Sequence, residues 1–373
     1  MTKAPRLLAN PHAGAAPVGA EVETGPVLAF HRSLPRYRPT PLFAAPAIAA
    51  RLGVAQVWVK DESDRLGMPS FKILGASWAT FRALCARVGI DHGHVDGLAG
   101  LRAALAGHPL TLVAATDGNH GRAVARMARE LGLGAHILVP RDMVAARIAA
   151  LQAEGARVTI VPGTYDEAVA ASARLADETH VVVSDTSWPG YEQVPGWVID
   201  GYATIVAEVH DQLAEAGAAP PTVVAAQIGV GAFAAAVVRG FPEAAVVGVE
   251  PTKAACVMAS LAAGALRQVE GDLDSIMAGL NCGTPSPVAW PDLVAGLRHV
   301  VTVDDAAAEE AMRVLAAAGV VSGESGAAGL AGLLTFGARL GLGPNDRVLV
   351  VSTEGATDPV AYDRIVAHAH SSS

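Results

Sequence analysis

TLVAATDGNHGRAVARMARELGLGAHILVP, residues 111–140, runs from a short apolar stretch through a polar glycine turn into an amphipathic segment, then into a second apolar stretch. The apolar residues of RAVARMARELG recur every three to four positions and Gly132 stands where such a helix would close, whereas TLVAAT and AHILVP are short, bounded and rich in β-branched residues. A strand, a helix and a strand in that order form a βαβ unit on a parallel sheet. VAARIAALQAEG, RVTIVPG, DEAVAASARLADE and HVVVSD continue the alternation, which predicts one α/β lobe over about 110–184.

Strand-like runs also lie on both sides of that lobe: VWVKDE (57–62), TVVAAQIG (222–229), AAVVGVEP (244–251) and RVLVVSTEG (347–355). Helical stretches such as YATIVAEVHDQLAEAG and AFAAAVVRG separate them. The expectation is an α/β protein of two open twisted domains: a discontinuous large one, 1–85 plus 200–373, and a small inserted one, 86–199. A ligand is expected in the cleft between them. The Pro-rich first 45 residues read as a surface wrap and the terminal HAHSSS as a frayed tail.

Composition narrows the function. A chain of 373 residues, 51% hydrophobic and 17% charged, can build two ordinary soluble cores. A net charge of −9 without a basic cluster argues against a nucleic-acid surface. No apolar stretch is long enough to span a membrane and the N-terminus lacks a secretory pattern, so the reading is a cytoplasmic protein with no membrane partner. Cys85, Cys256 and Cys282 have neither metal-site spacing nor the density of a disulfide scaffold. They read as buried free thiols, and Cys256 and Cys282 can pair only if the fold brings them together. Small-molecule chemistry is what remains.

Four loops could carry it. In GMPSFKILGA (67–76) a lysine stands in a chain with only four lysines among 27 basic residues. Arginine would serve for surface charge, but only an amine can lose its proton and form an imine with an aldehyde. Leu74, Trp78, Phe81, Cys85 and Val88 follow at helical spacing, which puts Lys72 in a first turn, where the positive end of the helix dipole favours its neutral form. A plain surface lysine is the alternative. TDGNHG (116–121) follows a strand and opens a helix; it is either a capping turn or a ligand loop, with His120 assigned a loop role. QIGVGAFAAAVV (227–238) is a strand, a glycine turn and a helix, able to aim backbone N–H groups at a phosphate. It lacks the third glycine of a dinucleotide fingerprint, Ala234 standing there instead. VLVVSTEGATDP places Ser352 at a strand end, where its hydroxyl could meet a ring nitrogen or simply cap a turn. An amine for an aldehyde, a phosphate turn and polar partners for a heteroaromatic ring together describe pyridoxal 5'-phosphate.

From about Pro41 to Asp358 the chain resembles the fold-type II pyridoxal-phosphate enzymes, the superfamily of threonine deaminase and the tryptophan synthase β subunit. The resemblance implies that Ser70, Phe71 and Lys72 form the motif carrying the Schiff-base lysine. It further implies that Thr116 to His120 form the family's asparagine loop, with Asn119 on the ring hydroxyl, and that Gly229, Val230, Gly231 and Ala232 form a shortened phosphate loop. Ser352 would face the ring nitrogen, and Glu324 and Ser325 would lie near the ring, with Glu354 as a structural cap. Within the superfamily, DESDRLGMPSFKILGAS, TDGNHGR, DTSWPGYEQVPGWVIDGYATI, IMAGLNCGTPSP and STEGATDP are similar to stretches of the diaminopropionate ammonia-lyases. That resemblance implies elimination of ammonia from 2,3-diaminopropionate, an amino-acid substrate, giving pyruvate and two ammonia, by a homodimer.

Asp117 stands where hydroxy-amino-acid deaminases of the superfamily carry a neutral residue. A carboxylate there could attract a β-ammonium group or serve as acid or base. Asp185 in DTSW is a second acid for the substrate's cationic end or for proton transfer at Cα, with a helix cap as its alternative. Acids on two faces would admit both enantiomers. Thr116 and Gly118 are candidates for holding the substrate carboxylate. Dehydration of serine, threonine or 3-hydroxyaspartate, β-replacement, and a non-catalytic cofactor-binding role stay open at this point.

Overall fold

Residues 4–14, 24–116 and 118–367 are described by a computed structural model. They group into two compact units, one of Pro39–Arg65 and Ile205 onward together with the N-terminal strand, the other of Glu23–Arg38 and Leu66–Thr204. This division differs from sequence boundaries at 85/86 and 199/200. Residues 66–85 group with the smaller unit because the helix Lys72–Val88 packs on the helices Asn119–Leu131 and Gln193–Gly201.

The larger unit is built on a seven-stranded sheet in the order Leu7–Ala9, Leu297–Val303, Ala245–Pro251, Val223–Gln227, Arg347–Ser352, Gln56–Asp61, Leu42–Ala44. The five inner strands run parallel and the two edge strands antiparallel to their neighbours. Val57, Val59, Val223, Ala225, Val247, Val249, Val348 and Val350 fill one face under the helix Glu324–Leu340, while Val224, Ala226, Val246 and Leu349 are buried on the other. Burial on both faces explains why these strands read as continuous apolar runs.

Three strands were not foreseen. Leu7–Ala9 and Leu42–Ala44 belong to the Pro-rich stretch read as a surface wrap, and they close the two sheet edges instead. Three residues are too few to show a period. Leu297–Val303 follows directly on the helix Trp290–Gly296 with no connecting loop, only Gly296 marking the junction. The HAHSSS tail lies outside the described residues.

The smaller unit holds a four-stranded parallel sheet in the order Arg157–Val161, Gly134–Pro140, Thr111–Ala115, His180–Val182. All the strands foreseen over 110–184 are present. The helix Lys72–Val88 begins at Lys72 itself, and it is buried nearly all round, twelve of its seventeen residues being inaccessible. Gly75 and Gly201 allow that close packing. A Cβ on Gly75 would lie 2.7 Å from the Tyr202 ring, and one on Gly201 would lie 2.6 Å from the Leu74 carbonyl oxygen. No helix among the described residues is long and apolar enough to cross a membrane.

Candidate active site

In a parallel sheet the carboxyl ends of all strands open on one edge, and loops leaving neighbouring strands meet there. Thr111–Ala115 and His180–Val182 are neighbours in the smaller unit, so the loop beginning at Thr116 and the segment carrying Asp185 leave the same edge. Thr116, 1% exposed, organises the first: its Oγ1 accepts the N–H groups of Gly118 (2.9 Å) and Gly121 (3.0 Å). Two glycines are required. Gly118 has φ +152° and ψ −84°, which side chains rarely tolerate, and a Cβ on Gly121 would approach the Thr116 methyl to 2.3 Å. The Gly118 N–H is thereby committed within the turn. Asn119 opens the helix Asn119–Leu131. Asp117 lies outside the described residues.

Asp185 and Lys72 meet. Lys72 Nζ donates to Asp185 Oδ2 at 2.7 Å, with the lysine side chain 20% exposed and the aspartate 8%. Lys72 is therefore neither a solvated surface lysine nor buried beyond reach, and Asp185 is a loop carboxylate, not a helix cap. Nζ also sits 5.7 Å from the Phe71 ring centroid, while that ring packs on Tyr202 at 4.6 Å. The Tyr165 hydroxyl donates to Asp185 Oδ1 at 3.3 Å, and His120 Nδ1 lies 3.9 Å from Oδ2. Burial alone would push the Asp185 carboxyl up, but the charges of Lys72 and His120 and the hydrogen bonds from Lys72 and Tyr165 outweigh it and hold the group well below the usual carboxylate range. Burial drives His120 below the ordinary histidine range, Asp185 opposing and Lys72 assisting. Lys72, at hydrogen-bond distance, is the nearer of the two basic groups that face Asp185 and acts on it more strongly than His120 does. His120, in the first turn of the helix Asn119–Leu131, is hydrogen-bonded through Nε2 with the Val183 carbonyl oxygen at 2.9 Å.

Tyr165 was missed. The capping box of Thr164 and Glu167 fixes where its helix begins, but nothing local says that the hydroxyl points at Asp185.

In the larger unit Val223–Gln227 and Arg347–Ser352 are likewise neighbours, so the glycine turn and Ser352 leave one sheet edge. Gly231 has φ +104°, and a Cβ on it would strike Leu293 at 2.6 Å. Gly229 is packed as tightly: a Cβ there would lie 2.9 Å from the Gly279 carbonyl oxygen and 3.2 Å from Cys282 Sγ. Val230 O accepts from Ser286 N at 2.8 Å, and Ala232 begins the helix Ala232–Gly240. The result is a tightly packed glycine turn that leads into a helix N-terminus, and backbone N–H groups at such a terminus suit a phosphate. Ser352 Oγ donates to Ser322 Oγ at 2.8 Å, a partner not anticipated because it comes from a loop thirty residues earlier. Gln227 Nε2 donates to Thr353 Oγ1 at 2.7 Å, Glu354 Oε1 accepts from Ser325 N, and Ser325 Oγ accepts from Gly279 N. Cys85, Cys256 and Cys282 are buried free thiols, as expected. Cys256 Sγ donates to Gly229 O at 3.7 Å.

The family model described as "Pyridoxal-phosphate dependent enzyme" matches residues 34–354. The chain belongs to this family. It is 37% identical to the diaminopropionate ammonia-lyase of Salmonella typhimurium, over 91% of each chain, and 37% identical to that of Escherichia coli K12, over 90% of this chain and 89% of the relative. The crystal structure of the Escherichia coli enzyme in complex with D-serine superposes with a TM-score of 0.90 at 33% identity, covering 99% of this chain and 98% of that one. The same enzyme in complex with an aminoacrylate-PLP azomethine reaction intermediate gives 0.88, covering 98% and 97%. Tomato threonine deaminase isoform 2, at 22% identity and a TM-score of 0.74, shares the fold. The residues present fit the cofactor of this family: a largely shielded lysine amine in one unit, and in the other a glycine turn at a helix N-terminus and a buried serine hydroxyl, carried at the ends of two neighbouring strands.

Proposed function

We propose that this chain is a pyridoxal 5'-phosphate-dependent ammonia-lyase that converts 2,3-diaminopropionate and water to pyruvate and two ammonia. The carrying observation is the buried Asp185 carboxylate 2.7 Å from the Lys72 amine, in a chain so similar to two diaminopropionate ammonia-lyases. A carboxylate at the reacting amine suits a substrate that brings a second amine.

Lys72 would hold the cofactor aldehyde, the backbone of Gly229, Val230, Gly231 and Ala232 its phosphate, Asn119 its ring hydroxyl, and Ser352 its ring nitrogen, after turning its proton from Ser322. When bound, the cofactor supplies an electron-accepting ring that makes the substrate Cα proton acidic and lets the β-amine depart. Asp185 orients the Lys72 amine and, depressed as its pKa is, stands ionised as an acceptor at neutral pH. Asp117, next to Thr116 in the sequence, is assigned to the β-ammonium group. Thr116 offers its hydroxyl to the substrate carboxylate, and Gly118 shapes the turn that presents it.

The holoenzyme should show an absorbance band near roughly 410 nm that borohydride abolishes, and should release pyruvate from D- and L-diaminopropionate. Lys72→Ala should lose both. A band surviving in full in that variant would refute the lysine assignment, and faster pyruvate release from serine than from diaminopropionate would reassign the enzyme as a hydroxy-amino-acid deaminase.

A further inference from the structure

The segment that carries Asp185 is not held as a strand. His180–Val182 pairs with Thr111–Ala115 only as far as Val113↔Val182, and one further bond, Val183 N to Val113 O at 2.8 Å, ends the ladder. Beyond it the chain must place a carboxylate within hydrogen-bond distance of Lys72 without strand partners.

The missing partners come from Tyr191. Its hydroxyl donates to Val182 O at 2.8 Å and accepts from Ser184 N at 3.1 Å, so a single oxygen bridges the backbone on both sides of Val183. From the opposite side the Val183 carbonyl oxygen is tied to His120 Nε2. Tyr191 is itself fixed. Residues 188–191 form a tight turn in which Tyr191 N donates to Trp188 O at 2.8 Å, and the two rings stack at 4.1 Å between centroids and 9° between planes. A phenol suits the task because one oxygen can donate and accept at once, and burial, which pushes its pKa up, keeps its proton in place.

We propose that Tyr191 is a positioning residue, whose hydroxyl fixes residues 182–184 and thereby sets Asp185 against Lys72. This rests on the catalytic reading of Asp185 given above.

The test compares wild-type holoenzyme with Tyr191→Phe, which keeps the ring stack, with Asp185→Asn, and with Leu151→Ala, a buried leucine of the same unit outside the site. Amide hydrogen exchange over 182–186 reads the hold directly and needs no turnover. In Tyr191→Phe it should quicken by about tenfold or more, with kcat for diaminopropionate falling about tenfold while KM stays within about twofold. Leu151→Ala should lower thermal stability without either effect. Unchanged exchange in Tyr191→Phe overturns the proposal, as does faster exchange with unchanged kcat. If Asp185→Asn is fully active, the catalytic reading of Asp185 falls and the positioning role with it. If Asp185→Asn is crippled while Tyr191→Phe is not, the positioning role alone falls.

Discussion

Among the described residues, Lys60 and Lys72 are the lysines least open to solvent, and their surroundings divide structure from chemistry. Lys60 is fully buried, and its ammonium meets three acceptors: Thr40 O at 2.8 Å, Glu208 Oε2 at 2.7 Å and Gln212 Oε1 at 2.8 Å. Every N–H is used and no substrate could reach it. Lys72 keeps a fifth of its side chain exposed beside Asp185. Scarcity of lysine therefore did not by itself single out Lys72; the S-F-K context and the helix start did. Asp185→Asn should retain the cofactor but lower kcat by about 10²–10⁴-fold, measured as pyruvate release. The same carboxyl leaves a mark on stability. Because its folded pKa is depressed, its contribution is present above the ordinary aspartate value of about 3.9 and is lost as pH falls through the lower folded value. The difference in unfolding free energy between wild type and Asp185→Asn should thus be flat from neutral pH to about pH 5 and shrink below about pH 4. A difference that grows with acid would contradict the ion pair.

Among the elements, the helix Lys72–Val88 shows how much a pattern can say. Its spacing located the helix and put Lys72 in its first turn, because a period of 3.6 is a local signal. Its burial on nearly every side was not legible, since that depends on two other helices closing over it. The glycine at 75 is the trace of that packing. Gly75→Val, one turn from Lys72, should cost about 1–3 kcal/mol by overpacking against Tyr202 and Val198 and should weaken cofactor retention as the lysine is displaced. Equilibrium unfolding and cofactor titration check both, and an unchanged stability would mean that the helix crossing is looser than the structure gives. The edge strands failed for the opposite reason: Leu7–Ala9 and Leu42–Ala44 are defined by what they pair with, not by any pattern of their own.

For the molecule as a whole, a buried ionic cluster of the larger unit ties distant parts of the chain together. Arg65 donates to Glu62 and to Glu208, Lys60 joins Glu208, and Thr40 donates to Glu62, all nearly inaccessible. Burial alone would push Glu208 up, yet Arg65 and Lys60 draw it down to about 2, so its contribution to stability is present above the ordinary glutamate value of about 4.3 and lost as pH falls toward 2. Arg65→Met removes the cation from Glu62 in the core and leaves Glu208 with Lys60 alone, and should cost about 3–5 kcal/mol, read by urea unfolding at pH 7; a loss under about 1 kcal/mol would show that the cluster is neutral to stability. None of this was visible in VWVKDE or DESDRLG, which read as a strand-like run and as part of a family-like motif. What the sequence determined unaided is whatever is local or covalent: the alternation of strands and helices, the lysine at a helix start, the glycines of two turns, and the motifs shared with a pyridoxal-phosphate family. Tertiary structure alone decided which polar groups meet. It brought Asp185 to Lys72 across 113 residues, Tyr165 to Asp185, Ser322 to Ser352 and Arg65 to Glu208. A hydrogen bond is settled within a few ångströms in space, and side-chain chemistry carries no record of the residue that the fold will place at that distance.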